Sequence, residues 1–123
     1  MERVLGVGGI FFKANDPDRL KAWYRDNLGL PLDAHGYVAF ETKGDPGPCV
    51  TWAPFAKDTT YFEPSKASFM INFRVRDLRA MLAQLRAAGA VVDEKVQEEP
   101  YGKFGWAMDP EGNRIELWEP TFE

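Results

Sequence analysis

The chain has one cysteine, one histidine, no basic run and no long apolar stretch, and each shortage removes a class of function. A single thiol, Cys49, leaves no internal disulfide to form, which fits a reducing compartment. Set between Pro48 and Val50, it reads as a small buried hydrophobe rather than a nucleophile. Lys and Arg number 15 against 19 Asp and Glu, a net charge of −4. Without a basic stripe to neutralise phosphates, no nucleic-acid partner is expected. No apolar stretch approaches the ~20 residues that cross a bilayer, so no membrane partner is expected either. The apolar opening, Val4 to Phe12, follows an acid and is followed by no small-residue cleavage pattern, so it reads as a buried strand and the protein as soluble and cytoplasmic.

Familiar catalytic patterns are missing too. His35, beside Gly36 and before Tyr37, reads as a solvated loop histidine, with a stray ligand or base as the functional alternative. Ser65 and Ser68 lie on a polar connection with no G-x-S-x-G elbow and no partner pattern for a triad. Gly6, Gly8 and Gly9 precede strand residues rather than a helix, so they make no phosphate loop.

What is present is a patterned, aromatic chain. At 123 residues and 45% hydrophobic it can bury one core, so a single domain spanning 1–123 is expected. Asp16 is a helix N-cap followed by Pro17, and Leu20, Trp23, Tyr24 and Leu28 recur at helical spacing until Gly29. Trp23 and Tyr24 are expected in the core. Asp77 caps a second helix with Leu78, Met81, Leu82 and Leu85 on its apolar side, closed by Ala87 to Gly89. Residues 31–54 hold short strands broken at Gly36 and at Gly44 to Pro48, and 55–67 form a polar and aromatic connection. Further strands are predicted at Phe69 to Val75, Val91 to Val96, Phe104 to Met108 and Arg114 to Glu119.

The last two strands flank the turn Asp109-Pro110-Glu111-Gly112-Asn113, where proline presets φ and glycine supplies a left-handed residue. Period-two alternation then puts Arg114, Glu116 and Trp118 on one face and Ile115 and Leu117 on the other. Glu116 is a carboxylate held among aromatics at a defined place on a strand.

The order strand, Asp, helix, Gly, strands occurs twice. Phe12 to Asp16 recurs as Phe73 to Asp77, and Trp52-Ala53-Pro54 parallels Trp118-Glu119-Pro120, which implies two halves of roughly sixty residues. This plan, with the DPEGNRIELWEP hairpin at its end, resembles the vicinal oxygen chelate superfamily, which includes glyoxalase I, the bleomycin and fosfomycin resistance proteins and the extradiol dioxygenases. The resemblance implies an α+β fold of two tandem βαβββ modules, about 4–56 and 68–120. It implies a curved mixed sheet forming a cup, with the helices on its outer face.

Within such a cup, alternation sends Ile10, Phe12, Ile71, Phe73 and Val75 toward the helices. Gly9, Phe11 and Lys13 then face inward, with Met70, Asn72 and Arg74 beside them. Val50 and Trp52 are expected inside as well, as are Phe104, Trp106 and Met108, and Arg114, Glu116 and Trp118. The expected ligand-binding residues are therefore Phe11, Lys13, Trp52, Met70, Asn72 and Arg74, together with Phe104, Trp106, Arg114, Glu116 and Trp118. An apolar, aromatic cup with a few charges suits a small molecule. Lys13, Arg74 and Arg114 outnumber Glu116, with Glu41 undecided, so an anionic aromatic ligand is expected over a cation.

In metal-using members the resemblance places ligands at the positions held here by Gly9, Val50, Met70 and Glu116. Glycine and valine offer no donor and a thioether suits hard divalent ions poorly, so no cofactor is expected and Glu116 is the sole surviving metal ligand. Glu116 is open to three readings: counter-ion of Arg114 or Arg74, general acid or base with Tyr101 as proton donor, or residual metal ligand. The leading functional expectation is a glyoxalase/bleomycin-resistance-like binding protein, metal-independent and homodimeric, holding a flat apolar or aromatic molecule. The alternatives are a metal-dependent lyase or isomerase of the glyoxalase kind and a metal-free proton-transfer enzyme using Glu116.

Overall fold

The structure, a computed structural model, describes residues 1–41 and 49–121, and the expected break at Gly44 to Pro48 and the side chain of Glu41 lie outside the described residues. Its elements follow the order β1 (Val4–Ala14), α1 (Pro17–Leu28), β2 (Val38–Glu41), β3 (Cys49–Ala56), β4 (Phe69–Val75), α2 (Leu78–Ala87), β5 (Gln97–Glu99), β6 (Gly102–Met108) and β7 (Arg114–Pro120). Both helices start as their sequences dictate. The Asp16 carboxylate accepts from the Arg19 N–H at 3.1 Å and the Asp77 carboxylate from the Ala80 N–H at 3.0 Å, satisfying amides that the first turn leaves unpaired.

The strands form one mixed sheet in the order β2-β3-β1-β4-β7-β6-β5. β1 runs parallel to β3, β4 runs parallel to β7, and β1 meets β4 antiparallel at the centre. Each half thus places its opening strand beside its closing strand, and the halves join through their opening strands. The result is the α+β cup, a curled seven-stranded sheet with two helices. Two full βαβββ modules would give eight strands. In the first half the chain instead turns after α1, where Asp33 Oδ1 accepts from the backbone N–H groups of His35 and Tyr37 at 2.8 and 2.9 Å. The strand expected at Val91 to Val96 is reduced to one bridge, Val92 to Ala107, because Asp93 Oδ1 takes the Lys95 N–H at 2.9 Å and turns the chain before β5.

The two faces of the sheet pack differently. On the outer face, Leu78, Met81 and Leu82 of α2 close on Val75 and Leu117. Gly105 of β6 permits this approach, since a Cβ there would lie 2.9 Å from Leu82 Cδ1. Helix α1 has no fully buried residue, and Trp23 is 53% exposed rather than core. Its apolar spacing gives it a side that rests lightly on β1 and β3, with Tyr24 on Trp52 at 4.8 Å between ring centres. On the cup face, Phe11, Ala53, Met70 and Trp106 form a second cluster with Phe62. Phe62 is fully buried, so the connection between halves is packed structure and not only a polar strap.

Register decides which side chains enter the cup. Ile10 lies opposite Trp52 and Phe11 opposite Ala53, so Thr51, Ala53 and Phe55 share the inner face. Trp52 therefore faces outward, against Phe12 and Tyr24, and not into the cup as alternation counted from the wrong neighbour suggests. Val50, two residues before it, follows Trp52 outward. A bulge in β1 between Val7 and Gly9 sets Gly8 beside Gly9 opposite Asn72, and Gly8 becomes part of the cup wall.

Candidate functional site

The cup encloses a cavity of about 600 Å³. Gly8 and Phe11 from β1, Ala53 and Phe55 from β3, and Asn72 from β4 line one side, while Phe104, Glu116 and Trp118 line the other. Asp33, His35, Tyr37, Val38 and Ala39 on one flank, Gln97 and Tyr101 on the other, and Thr51 and Tyr61 complete the lining. Two pairs of nearly parallel rings give it flat walls: Phe55 with Tyr61 at 10° and 5.5 Å, and Phe104 with Trp118 at 2° and 6.0 Å.

Glu116 is 2% exposed and, among the described residues, is the one charged side chain in the buried set. The parallel register of β4 and β7 sets Asn72 beside it, and Asn72 Nδ2 donates to Oε1 at 2.6 Å. The antiparallel register of β6 and β7 sets Trp106 opposite it, and the indole N–H donates to Oε2 at 2.9 Å. The third donor is the Tyr61 hydroxyl, in a short bond to Oε2. Burial pushes the Glu116 carboxyl above its ordinary value; the bonds from Tyr61, Asn72 and Trp106, and more weakly the charge of Arg114, pull it back without cancelling that effect. Burial and then the charge of Glu116 likewise push the Tyr61 phenol up, so it stays protonated and donating.

This arrangement differs from each pairing anticipated for Glu116. Arg114 donates to the Glu63 carbonyl at 2.9 Å, lies 3.6 Å from Asp93 and sits over the Trp106 ring at 5.1 Å. Arg74 runs along Gly8 and Gly6, with its Nε unpartnered among the described residues. Neither arginine is in contact with Glu116, and hydrogen bonds do the work assigned to a counter-ion. Tyr101 is 58% exposed at the mouth and does not reach Glu116; its phenol is raised by burial first, with smaller effects from Glu99, Glu116 and Tyr37. Tyr61 takes the place beside the carboxylate instead, from a connection whose sequence signal was an aromatic pair, Tyr61-Phe62, inside a polar stretch.

Of the other anticipated residues, Phe11, Asn72, Phe104, Glu116 and Trp118 meet at the cavity. Met70 and Trp106 lie beneath it, Met70 fully buried against Phe11 and Phe62 and Trp106 holding Glu116. Lys13 lies over the Phe62 ring at 5.8 Å and, with Arg74 and Arg114, stands outside the lining. His35 is an exposed turn residue at the rim.

The groups around Glu116 do not fit a divalent ion. An amide N–H, an indole N–H and a phenol O–H all present hydrogens to the carboxylate, which a cation would have to displace. Among the described residues no group of three or more His, Cys, Asp and Glu side chains converges.

The glyoxalase-like domain model matches residues 9–118 of the chain. No curated protein matches it in sequence. Among solved structures it is similar to a Streptomyces coelicolor methylmalonyl-CoA epimerase in complex with 2-nitronate-propionyl-CoA, at 17% identity and TM-score 0.73, covering 97% of this chain and 99% of that one. It is similar to the Mn(II)-bound glyoxalase from Novosphingobium aromaticivorans at 23% identity and TM-score 0.64, over 97% of this chain and 40% of that one. A glyoxalase/bleomycin resistance protein/dioxygenase superfamily member from Vibrio splendidus 12B01 aligns at 14% identity and TM-score 0.60, over 97% and 99%. At these identities the structures speak for the fold alone, that of the vicinal oxygen chelate superfamily, and the match over residues 9–118 establishes that the chain belongs to the glyoxalase-like domain family.

Proposed function

We propose that the protein is a small-molecule-binding member of its family that holds a flat, largely apolar ligand in the cup without a metal ion. The observation that carries this reading is the floor of the cavity. Glu116 is enclosed by three hydrogen-bond donors, so it is built as a fixed carboxylate and not as an open ligand for a divalent ion. The parallel ring pairs on either wall supply flat apolar area at low cost in side-chain entropy. The similar epimerase structure holds a CoA ester analogue, which is consistent with a ligand in this fold's cup. In the same reading the protein acts in the cytoplasm as a homodimer.

A second reading, metal-free proton transfer, is favoured by one observation, the raised carboxyl of Glu116 in contact with a phenol. Equilibrium dialysis with 1-methylnaphthalene, a neutral flat probe, tests the first reading. One saturable site per chain is expected, weakened by about 1–2 kcal/mol in Phe104→Ala or Trp118→Ala through lost apolar contact. Absence of saturable binding overturns it. Deuterium uptake from D2O at an acidic C–H of a bound compound, lost in Glu116→Gln, would establish the second reading in its place.

A further inference from the structure

We infer that the ligand carries a positive charge: the cup is a site for an aromatic or quaternary-ammonium cation, set against the aromatic walls with Glu116 and Asp33 as its counter-charges. This deepens the binding reading and rests on it.

The charges that line the cavity are of one sign. Among the described residues the lining holds two carboxylates, Glu116 at the floor and Asp33 at the rim, and His35, but no lysine or arginine. The three cations that the sequence directs inward stand outside the lining. Arg114 is held by the Glu63 carbonyl and Asp93, and Lys13 lies over Phe62. The Arg74 head lies over Gly6, so that only its stem, Cγ, approaches the cavity wall at Gly8.

Glu116 itself is satisfied by hydrogen bonds, and the charge of Arg114, on the Trp106 ring, compensates it only weakly. A carboxylate 2% exposed, with no cation in direct contact, keeps a field that is only partly balanced and that falls on the cavity it lines. A cationic ligand supplies the missing opposite charge, whereas an anion would be brought against Glu116 in a medium of low polarity.

The walls favour the same sign. Ring faces carry negative potential, and Phe55, Phe104, Trp118 and the two rim tyrosines, Tyr37 and Tyr101, all line the cavity. Tyr37 already attracts one cation, since Lys21 Nζ lies 5.1 Å from its ring centre. Flat walls, acidic ends and cations turned away make a site for a planar cation, where a neutral ligand would use the walls alone.

Isothermal calorimetry with three two-ring probes of matched shape tests the inference: N-methylquinolinium, 1-methylnaphthalene and 1-naphthoate. The wild-type protein is expected to bind the cation about tenfold or more tighter than the neutral probe, and the anion weakest. Glu116→Gln should collapse the ratio of cation to neutral toward one, whatever it does to the affinity for the neutral probe. Asp33→Asn, which keeps an oxygen for the His35 and Tyr37 amides, should lower the ratio by a smaller factor. If Glu116→Gln fails to fold, the wild-type ranking and Asp33→Asn still decide. Equal affinity for cation and neutral probe, or a preference for the anion, overturns the inference and leaves the binding reading standing. A ratio that survives both substitutions also overturns it, and failure of all three probes to bind overturns inference and binding reading together.

Discussion

Asn72 holds Glu116 by one end of its amide and turns the other end to Gly8. Its nitrogen lies 2.6 Å from Glu116 Oε1, and its Oδ1 has no hydrogen-bond partner among the described residues. The side chain is 2% exposed, so this orientation is chosen by the carboxylate: an ionised Glu116 only accepts, and the amide must present its donor. The same amide, rotated, would present an acceptor. Asn72 can therefore meet either a carboxylate or a group that donates, without rebuilding the strand around it.

That adaptability leads to a prediction about pH. Burial raises the Glu116 carboxyl in the folded protein above its ordinary value of 4.5. A group that binds its proton more tightly when folded stabilises the fold fully below its unfolded pKa and loses that contribution as pH rises through the folded one. Stability should thus increase as pH is lowered from neutral toward about 4.5. Asp26, Asp33 and Asp109, which are held low by hydrogen bonds, act only at lower pH. Glu116→Gln, with the Asn72 amide rotated to accept from the new amide, should raise the melting temperature at neutral pH and flatten this dependence. Thermal melts between pH 4.5 and 8 check it; a variant melting lower than wild type throughout that range would refute it.

Gly8 should tolerate nothing larger. A Cβ at this position would collide with Asn72 Oδ1 and lie 2.9 Å from Arg74 Cγ and 3.0 Å from Trp118 Cε3. Gly8→Ala is expected to cost about 1–3 kcal/mol by overpacking and to displace Asn72 from Glu116. Chemical denaturation measures the loss, and the near-ultraviolet signal of Trp106 and Trp118 reports the displacement. A change below about 0.5 kcal/mol would show that the bulge absorbs the methyl group.

The fold was legible because its signals are local and repeated. The two Asp caps, the helical spacing after them and the turn at Asp109 to Asn113 each act over a few residues, and the repeat ordered them into halves. Glu116 and Trp118 could be placed because β7 alternates without interruption. Trp52 could not, because the Trp-x-Pro match aligns the ends of the halves by residue type, while the β1 to β3 pairing sets Ala53 opposite Phe11. The bulge at Gly8 is invisible for the same reason: it is a property of two paired strands. Tyr61 was missed because it reaches Glu116 across 55 positions from a segment with no periodicity. The fate of Arg74 and Arg114 likewise depended on the partners that long side chains find after folding.

Stability should not depend on divalent ions. The donors around Glu116 leave no set of lone pairs for a cation, so dialysis against a chelator is expected to leave the melting temperature unchanged within about 1 °C. Differential scanning calorimetry before and after dialysis, beside elemental analysis, checks this. Stoichiometric zinc, nickel, manganese or iron that survives desalting, with a loss of stability on its removal, would refute it.

The outer face of the sheet leads to the last prediction. Helix α2 packs on β6 and β7 while α1 contributes no fully buried residue, so the central strand β1 is poorly covered. Val7 is 39% and Ile10 47% exposed there, and Trp23 on α1 is 53% exposed. Exposed apolar residues on a central strand favour burial against another surface, and a closed two-fold dimer is the commonest way to achieve it. Light scattering at micromolar concentration should give a mass near that of two chains. Ile10→Asp would put a charge into the proposed contact and should weaken association at least about tenfold, since desolvating an unpaired carboxylate costs more than the 1.4 kcal/mol that factor represents. The substitution sits on a half-exposed outer position, so the cup should keep its affinity for 1-methylnaphthalene. A wild-type mass of one chain, or a dimer indifferent to Ile10→Asp, would show that this face is not where two chains meet.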